Sequence, residues 1–338
     1  MACYFPRDGY LSTFKSSKGK RLITIKSQEA ISHIPVTKVA CGGCIGCRLE
    51  ESKQWAVRAH HESLLYEENC FITLTYDNQN LPLNKGIDVE HTKTFMKDLR
   101  EHVRYHTGKT GIRSFGCGEY GEKCKNCGKN KLDCNQSGQN CWLPVLGRPH
   151  YHACIFNYDF PDKYEFFKKK NITHYRSPLL EEIWGKGHCT VTDFNFKTAA
   201  YVARYVTKKL KGQKRNEIDP ETGLGYYDWT CEETGITYER EPERKLMLSR
   251  NPGIGAPWFE KYGKQECYPH DEICVDKKKM KPPKYYDYLM EKTDEEVIEK
   301  VKEKRREKAK ESYKFNTDQN LEREKKKKRQ VDKLHRTL

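Results

Sequence analysis

The stretch GRPHYHACIF, residues 147–156, alternates two histidines with bulkier residues in the pattern of a β-strand. Side chains two positions apart on a strand project from the same face, so His150 and His152 are expected within reach of one ion. A His-x-His pair alone is weak evidence for a metal site, because many such pairs are surface histidines or histidines with ordinary hydrogen bonds. The rest of the chain therefore has to support the interpretation.

Strand and helix patterns alternate on both sides of this stretch. The predicted strands cover residues 21–26, 70–76, 111–119, 148–157 and 187–193, with a hairpin over 226–239, and the predicted helices cover 49–66, 91–106, 178–184 and 198–211. Two of the strands flank a Cys/Gly/Asn/Lys-rich insertion as a hairpin. The sequence predicts an α+β fold in which a sheet carries helices on one face, and residues 1–40 are expected to be otherwise irregular.

The composition indicates a polyanionic partner. The 338 residues contain 63 Lys and Arg against 48 Asp and Glu, a formal net charge of +15. A merely soluble, charged surface is the alternative, but 21 tyrosines offer stacking surfaces for unpaired bases and favour nucleic acid. No apolar run is long enough for a membrane span and the first residues lack the apolar centre of a signal peptide, so a cytosolic protein without membrane contact is expected.

Composition also divides the chain into three segments. Residues 1–48 form a cysteine-containing segment, residues 49–263 the main domain with an insertion at 118–146, and residues 264–338 a charged, basic extension. From about residue 277 the chain is mostly charged, so a solvated helix or disorder is expected there. A tail that binds phosphates is the alternative interpretation.

The stretch FKTAAYVARYVTKKLK, residues 196–211, has the period of an amphipathic helix. Its apolar stripe consists of Ala199, Val202, Ala203, Val206 and Leu210. Tyr201, Tyr205 and Lys208 cluster on nearly the opposite side, which argues against the two tyrosines being core residues. The tyrosines are four positions apart and therefore neighbours on the helix surface.

Two histidines, two adjacent tyrosines and a lysine suit phosphodiester transesterification. Imidazoles with a carboxylate can hold Mg²⁺ or Mn²⁺ with open positions, and such an ion offsets the charge that develops on the phosphate. A tyrosine hydroxyl that attacks leaves a 5′-phosphotyrosine and a free 3′-OH. Because the diester is exchanged and not hydrolysed, the 3′-OH can rejoin the strand without ATP.

Four motifs resemble those of the HUH endonucleases, and more narrowly the rolling-circle replication initiators of gokushovirus-like Microviridae. They are FITLTYD (71–77), GRPHYH (147–152), YVARYVTKK (201–209) and MLSRNPGIG (247–255). The resemblance covers about residues 1–263 and implies an RRM-like antiparallel sheet, with the histidine motif on a central strand and the tyrosine helix beside it. It also implies a single-strand DNA nickase with strand-joining activity. The cysteine-rich insertion is the main departure from the pattern.

The resemblance further implies roles for individual residues. His150 and His152 would bind the divalent ion, and Tyr201 and Tyr205 would act as nucleophiles in alternation. A third, acidic ligand is expected, for which Glu119 is the first choice, since a hairpin could bring it to the histidine face.

Two assignments keep an alternative at this stage. Asp77 is the other candidate for the third ligand. Lys208 would stabilise phosphate charge or lower the pKa of a tyrosine. Lys209 is the alternative to Lys208.

The 15 cysteines suggest metal thiolates and free thiols before disulfides. Four in the insertion have zinc-site spacing and would supply the folding energy of that segment: Cys124, Cys127, Cys134 and Cys141. A second zinc site is suggested by CGGCIGC, with Cys41, Cys44 and Cys47 joined by Cys3. An iron–sulfur cluster or unliganded thiols are the alternatives for this second group. The remaining seven cysteines are expected to be buried.

The expected partners are single-stranded or supercoiled phage origin DNA together with a host helicase and polymerase, in the host bacterial cytoplasm. A host helicase is expected because the sequence contains no nucleotide-binding P-loop motif. A plasmid relaxase or single-strand transposase would use the same chemistry on another substrate. A zinc-dependent nucleic-acid-binding protein without enzymatic activity is the alternative from another class.

Overall fold

The computed structural model describes residues 3–15, 19, 21–124, 127, 144–169, 171–205, 217–231, 233–310 and 316–334. The chain forms two compact units. Residues 1–51 and 299–337 form the terminal unit, and residues 52–298 form the central unit.

The secondary structure alternates strands with helices along most of the chain. The strands are β1 (Arg7–Lys15), β2 (Arg21–Thr24), β3 (Thr37–Val39), β4 (Asn69–Thr75), β5 (Arg113–Cys124), β6 (Pro144–Phe156), β7 (Tyr164–Lys169), β8 (Ile172–Arg176), β9 (Cys189–Asp193), β10 (Asp228–Thr230), β11 (Thr237–Glu239), β12 (Arg244–Leu246), β13 (Ile273–Val275) and β14 (Lys278–Met280). The helices are α1 (Ile45–Ser63), α2 (Val89–Thr107), α3 (Pro178–Trp184), α4 (Phe196–Tyr205), α5 (Ala256–Trp258), α6 (Lys264–Cys267), α7 (Lys284–Thr293), α8 (Glu295–Lys310) and α9 (Thr317–Leu334). A 3₁₀ turn covers Ser27–Glu29, and a π-helical turn at Phe259–Gly263 joins α5 to α6.

The central unit is built on a seven-stranded sheet with the order β12-β5-β6-β4-β9-β8-β7. Every neighbouring pair in this sheet is antiparallel. The predicted α+β class is confirmed, and so is the hairpin-like pairing of the two strands that flank the insertion. The histidine strand β6 lies inside the sheet, between β5 and β4.

Helices cover both faces of the sheet, so the expectation of helices on one face is wrong. Buried residues of α2 and α3, such as Phe95 and Trp184, form a core with Ile72 and Leu74 of β4. On the other face, buried residues of α1 and α4 form a second core that includes Phe71 of the same strand. A strand that is buried on both faces reads as a nearly continuous apolar run, and CFITL at 70–74 is such a run.

Helix α4, which carries the first tyrosine, begins at a capping box. The side chain of Asn195 accepts a hydrogen bond from the backbone N–H of Thr198 at 3.0 Å, and the Thr198 hydroxyl accepts one from the N–H of Asn195 at 3.0 Å. These reciprocal bonds satisfy N–H groups that a helix start leaves unpaired. Ala199, Val202 and Ala203 of the predicted stripe are fully buried, which holds α4 against the sheet.

The terminal unit contains a second sheet, with the order β2-β1-β3 and antiparallel pairing. Two of its three strands lie in the region expected to be irregular, so that expectation is wrong. The strands escape sequence analysis because their apolar side chains, for example Ile23 and Leu11, are exposed and produce no buried alternation. Helix α9 contributes Glu324, whose carboxylate accepts a hydrogen bond from the N–H of Ile45 at 3.0 Å.

The charged C-terminal extension is more ordered than its composition indicates. Tyr286 of α7 is completely buried and stacks with His61 and Trp258 inside the central unit. The expectation of a solvated helix or disorder from about residue 277 is therefore wrong for α7. No helix in the described part of the chain is long and apolar enough to span a bilayer.

Candidate active site

Strand register brings three potential metal ligands together on the α4 face of the sheet. In the β5–β6 pairing, Glu119 lies opposite His150, and His152 lies opposite Cys117. Directly opposed side chains on one face are about 5 Å apart at Cβ. One ligand atom from each of Glu119, His150 and His152 lies within 4.8 Å of the others. Sequence reasoning proposed this trio, and the structure brings it together.

The Glu119 carboxylate is the centre of the cluster. Its Oε1 lies 2.6 Å from Nε2 of His150 and 3.3 Å from Nε2 of His152. The residue is only 3% exposed, and among the described residues Oε2 has no hydrogen-bond partner. Burial raises the pKa of the Glu119 carboxyl, but the charge of His150 and hydrogen bonds from both imidazoles outweigh it and lower the pKa to about 2. A buried carboxylate with an unused oxygen is therefore aimed at the same space as two imidazoles.

Each imidazole has its Nδ1 occupied, which turns its Nε2 toward Glu119. Nδ1 of His152 lies 2.9 Å from the Thr73 hydroxyl, the residue opposite it on β4. Nδ1 of His150 lies 3.3 Å from the carbonyl oxygen of Arg148. Such partners fix the tautomer and ring orientation of histidine ligands. Sequence reasoning missed Thr73, although FITLT places it on one face with Phe71.

The Arg148 side chain fixes the loop that follows β4. Its guanidinium donates to the carbonyl oxygens of Tyr76 and Asp77 at 3.0 and 2.8 Å, and to Oδ1 of Asn78 at 2.6 Å. The carboxylate of Asp77 accepts hydrogen bonds from the backbone and side chain of Asn80. The structure thus groups Glu119, and not Asp77, with the two histidines.

Tyr201 lies beside the cluster. Its ring meets the His152 ring edge-to-face at 5.0 Å and the Phe71 ring at 6.1 Å. The residue is half-buried and packs at the margin of the core formed by α1 and α4, so the interpretation of the tyrosine face as separate from the core is wrong for Tyr201. Tyr205 is the last described residue of α4, and the structure describes only its backbone. Lys208 and Lys209 lie outside the described residues.

The NPGIG segment, residues 251–255, is held against α1 by buried charges that sequence reasoning did not identify. Glu62 is fully buried, pairs with Arg113, and accepts a hydrogen bond from the N–H of Gly255 at 2.6 Å. Arg113 also donates to the carbonyl oxygen of Pro252 at 2.7 Å. Gly255 has φ of +80°, and a β-carbon there would lie 3.1 Å from the carbonyl oxygen of Arg58, so glycine is required.

Arg58 was considered as a DNA contact, and the structure gives it internal partners. Its guanidinium lies over the rings of Trp55 and Tyr285, 4.0 and 3.9 Å from their centroids, and Nε donates to the carbonyl oxygen of Ile254. Burial lowers the pKa of Arg58 to about 10. Trp55 in turn stacks on Phe115 of β5.

The cysteines divide into three situations. Cys3, Cys41, Cys44 and Cys47 have their sulfur atoms within 4.8 Å of one another. Of the insertion cysteines, Cys124 is buried at the end of β5 and Cys127 is exposed, while Cys134 and Cys141 lie outside the described residues. Of the seven others, Cys231 is partly exposed and Cys274 is exposed, so the expectation of burial is wrong for these two.

Comparisons with known proteins point in one direction. The family model for the phage replication-associated protein ORF2 matches residues 69–127 and 145–210. The chain is 30% identical over 273 residues to replication-associated protein ORF2 of Spiroplasma virus 4, covering 77% of this chain and 70% of that protein. It is 28% identical over 285 residues to replication-associated protein VP4 of Bdellovibrio phage phiMH2K, covering 81% and 74%. It is 34% identical over 175 residues to replication-associated protein ORF4 of Chlamydia phage 1, covering 50% and 38%. No solved structure matches the chain.

Proposed function

The chain belongs to the ORF2 family of phage replication-associated proteins, and we propose on that premise that it starts rolling-circle replication as a single-strand DNA nickase and ligase. The observation that carries the proposal is the convergence of Glu119, His150, His152 and Tyr201 on one face of the sheet. The proposal includes the HUH-type, RRM-like identity of this sheet. Its substrate would be the origin of the phage genome in single-stranded or supercoiled form.

The donor set suits a divalent ion such as Mg²⁺ or Mn²⁺. Oε2 of Glu119 is buried without a hydrogen-bond partner among the described residues, and the carboxyl is held ionised. Two imidazoles and one carboxylate leave further positions open for oxygen ligands. Bound there, the ion would neutralise charge on the scissile phosphate.

The residues of the chain supply the nucleophile and its position. The Tyr201 oxygen would form a bond to phosphorus as the bond from phosphorus to the 3′ oxygen breaks. The tyrosine loses its proton, and the departing 3′ oxygen gains one. Packing against His152 and Phe71 limits the orientations of the Tyr201 ring and so pre-positions its hydroxyl. Tyr205 would act as the second nucleophile, which allows cutting and rejoining to alternate.

Three further assignments are part of the proposal. Lys208 would stabilise phosphate charge beside the tyrosines. The insertion would bind structural zinc through Cys124, Cys127, Cys134 and Cys141. A helicase and a polymerase of the bacterial host, in whose cytoplasm the protein would act, would extend the nicked strand.

The test is covalent capture of DNA. The full chain is incubated with Mn²⁺ and labelled single-stranded oligonucleotides that tile the phage genome, and products are separated on a denaturing gel. An SDS-stable adduct with one oligonucleotide is expected, lost with EDTA and in the Tyr201→Phe/Tyr205→Phe double variant, and reduced in each single variant. Tyr164→Phe, which changes an exposed tyrosine of β7, is the matched control and should leave the adduct intact.

Tight binding without an adduct on any fragment would overturn the nickase proposal. The zinc-dependent nucleic-acid-binding protein without enzymatic activity would then take its place.

A further inference from the structure

Four cysteine sulfurs from two distant stretches of sequence meet in the terminal unit. Sγ of Cys41 lies 3.9 Å from Sγ of Cys47, and Sγ of Cys44 lies 3.9 Å from Sγ of Cys3. A disulfide requires a separation of about 2.0 Å. A tetrahedral zinc ion with Zn–S bonds of about 2.3 Å places its sulfurs about 3.8 Å apart. The measured separations match four thiolates around a single ion.

The backbone around the sulfurs is arranged to stabilise thiolates. The N–H of Cys41 donates to Sγ of Cys3 at 3.3 Å, the N–H of Cys44 to Sγ of Cys41 at 3.4 Å, and the N–H of Tyr4 to Sγ of Cys44 at 3.4 Å. Gly42 has φ of +73°, a conformation that glycine adopts without strain and that lets the chain turn between Cys41 and Cys44. Hydrogen bonds to the charged form favour it, and zinc binds that form.

An iron–sulfur cluster fits these distances poorly. Such a cluster interposes several irons and sulfides between its cysteine ligands. Four sulfurs that all lie within 4.8 Å of one another leave room for one ion only. The alternative left open by the CGGCIGC spacing is therefore disfavoured by the geometry.

The terminal unit also lacks a hydrophobic core of its own. Its described residues include only three buried hydrophobic side chains, Cys44, Val301 and Val331. Its large apolar residues are mostly exposed, among them Leu11, Phe14, Leu22, Ile23, Ile25, Ile31, Ile34 and Val36. A unit that buries so little apolar surface needs another source of folding free energy, and a structural metal is one of the few available.

We propose that Cys3, Cys41, Cys44 and Cys47 bind one structural Zn²⁺, and that this ion keeps residues 1–51 folded by fastening the N-terminal residues to the start of α1. All four positions around the ion are filled by sulfur, so it has no open position for catalysis. The inference does not rest on the proposed nicking activity, since none of its residues belongs to the histidine cluster.

The test counts metal and measures local order in the full chain. Zinc and iron are quantified by mass spectrometry in wild type, Cys3→Ser, Cys44→Ser and the control Cys274→Ser, which changes an exposed cysteine of the central unit. The first two variants should each contain one zinc fewer per chain than wild type, and the control should match wild type. Counting the difference makes the result independent of any zinc bound by the insertion.

Hydrogen exchange separates metal loss from general unfolding. Residues 7–15 of β1 should exchange at least about 10-fold faster in Cys3→Ser and Cys44→Ser, while residues 69–75 of β4 should keep their wild-type protection. Unchanged zinc content in both variants would overturn the proposal, and so would iron in place of zinc in the wild type. Because the assay contains no DNA, its outcome is separate from that of the nicking assay.

Discussion

The two candidate metal sites of this protein are built in opposite ways. Glu119, His150 and His152 stand on paired strands between two hydrophobic cores, so strand register places them whether or not an ion is present. Cys3, Cys41, Cys44 and Cys47 come from a unit that buries few apolar side chains. The difference teaches that a site can be a product of the fold or a condition for it. Removing a ligand should therefore abolish activity in the first case and order in the second.

The largest effect is expected from His152→Gln. We expect covalent adduct formation to fall by roughly 100-fold or more, because the substitution removes an imidazole ligand and its hydrogen bond from Thr73. The melting temperature of the central unit should change by only a few degrees, since the sheet remains paired. Adduct kinetics and thermal denaturation measure the two quantities.

His270→Gln, which changes an exposed histidine of the same unit, is the control. Wild-type nicking by His152→Gln would contradict the catalytic assignment. A collapse of the melting temperature would contradict the view that the fold places the site.

The next effect concerns the buried pair that supports the central unit. Glu62→Ala should lower the free energy of unfolding by about 3–5 kcal/mol, because it leaves Arg113 and the N–H of Gly255 without their buried partner. Urea denaturation measures the change. Lys93→Ala breaks an ion pair whose lysine is 65% exposed and should lower it by less than about 1 kcal/mol. Equal losses in the two variants would show that the pair near α1 does not stabilise the unit.

Acid should weaken the central unit through His61. Burial, with the charge of neighbouring His60, lowers the pKa of His61 to about 3, below its unfolded value of about 6.5. Between these values the unfolded chain binds the extra proton, so the free energy of unfolding is complete above pH 6.5 and falls as the pH drops toward 3. The loss from this residue at pH 4 is roughly 3 kcal/mol.

The His61 effect is measured as a difference between two proteins. Urea denaturation at about pH 7 and pH 4 should show a smaller acid loss in His61→Gln than in wild type. The glutamine can keep a hydrogen bond to the Tyr286 hydroxyl, which lies 2.9 Å from Nδ1 of His61. Identical acid losses in the two proteins would remove His61 as the cause.

The smallest effect sharpens the role of orientation in the histidine site. Thr73→Val removes the hydroxyl that lies 2.9 Å from Nδ1 of His152 and should lower Mn²⁺ affinity by about 10- to 100-fold. Thr73→Ser keeps the hydroxyl and should bind Mn²⁺ as the wild type does. Titration of adduct formation with Mn²⁺ measures the shift, and equal midpoints for the valine and serine variants would exclude this hydrogen bond as the cause.

The inner strands of the fold and the grouping of its site were accessible from sequence because they depend on local patterns. The strand predicted at residues 70–76 is observed as Asn69–Thr75, and the strand predicted at 148–157 as Pro144–Phe156. Pairing these flanking strands across the insertion was enough to nominate Glu119 beside His150. Its role as a ligand stays a proposal.

What sequence reasoning missed depends on contacts between distant segments. Glu62 and Arg113 are 51 positions apart, and nothing local in either stretch indicates that the two charges meet beneath the NPGIG segment. The β7 strand, YEFFKK, has all six residues exposed, so no buried face marks it. Two-sided burial of β4 was misread as alternation, which hid the second helical layer.

The ribbon formed by the ends of β5 and β6 has a consequence for how the protein can diversify. Strand β4 stops pairing with β6 at His150, whereas β5 continues to pair with it out to Cys124 and Pro144, past an irregularity between Tyr120 and Glu122. The cysteine-rich insertion is thus attached to a two-stranded stalk that starts just beyond the ligand pair. Sequence can be added or removed at the tip of this stalk while the register at Glu119 and His150 is kept by the strands below. The stalk is a graft point, where a lineage of such proteins can exchange one recognition element for another without redesigning its chemistry.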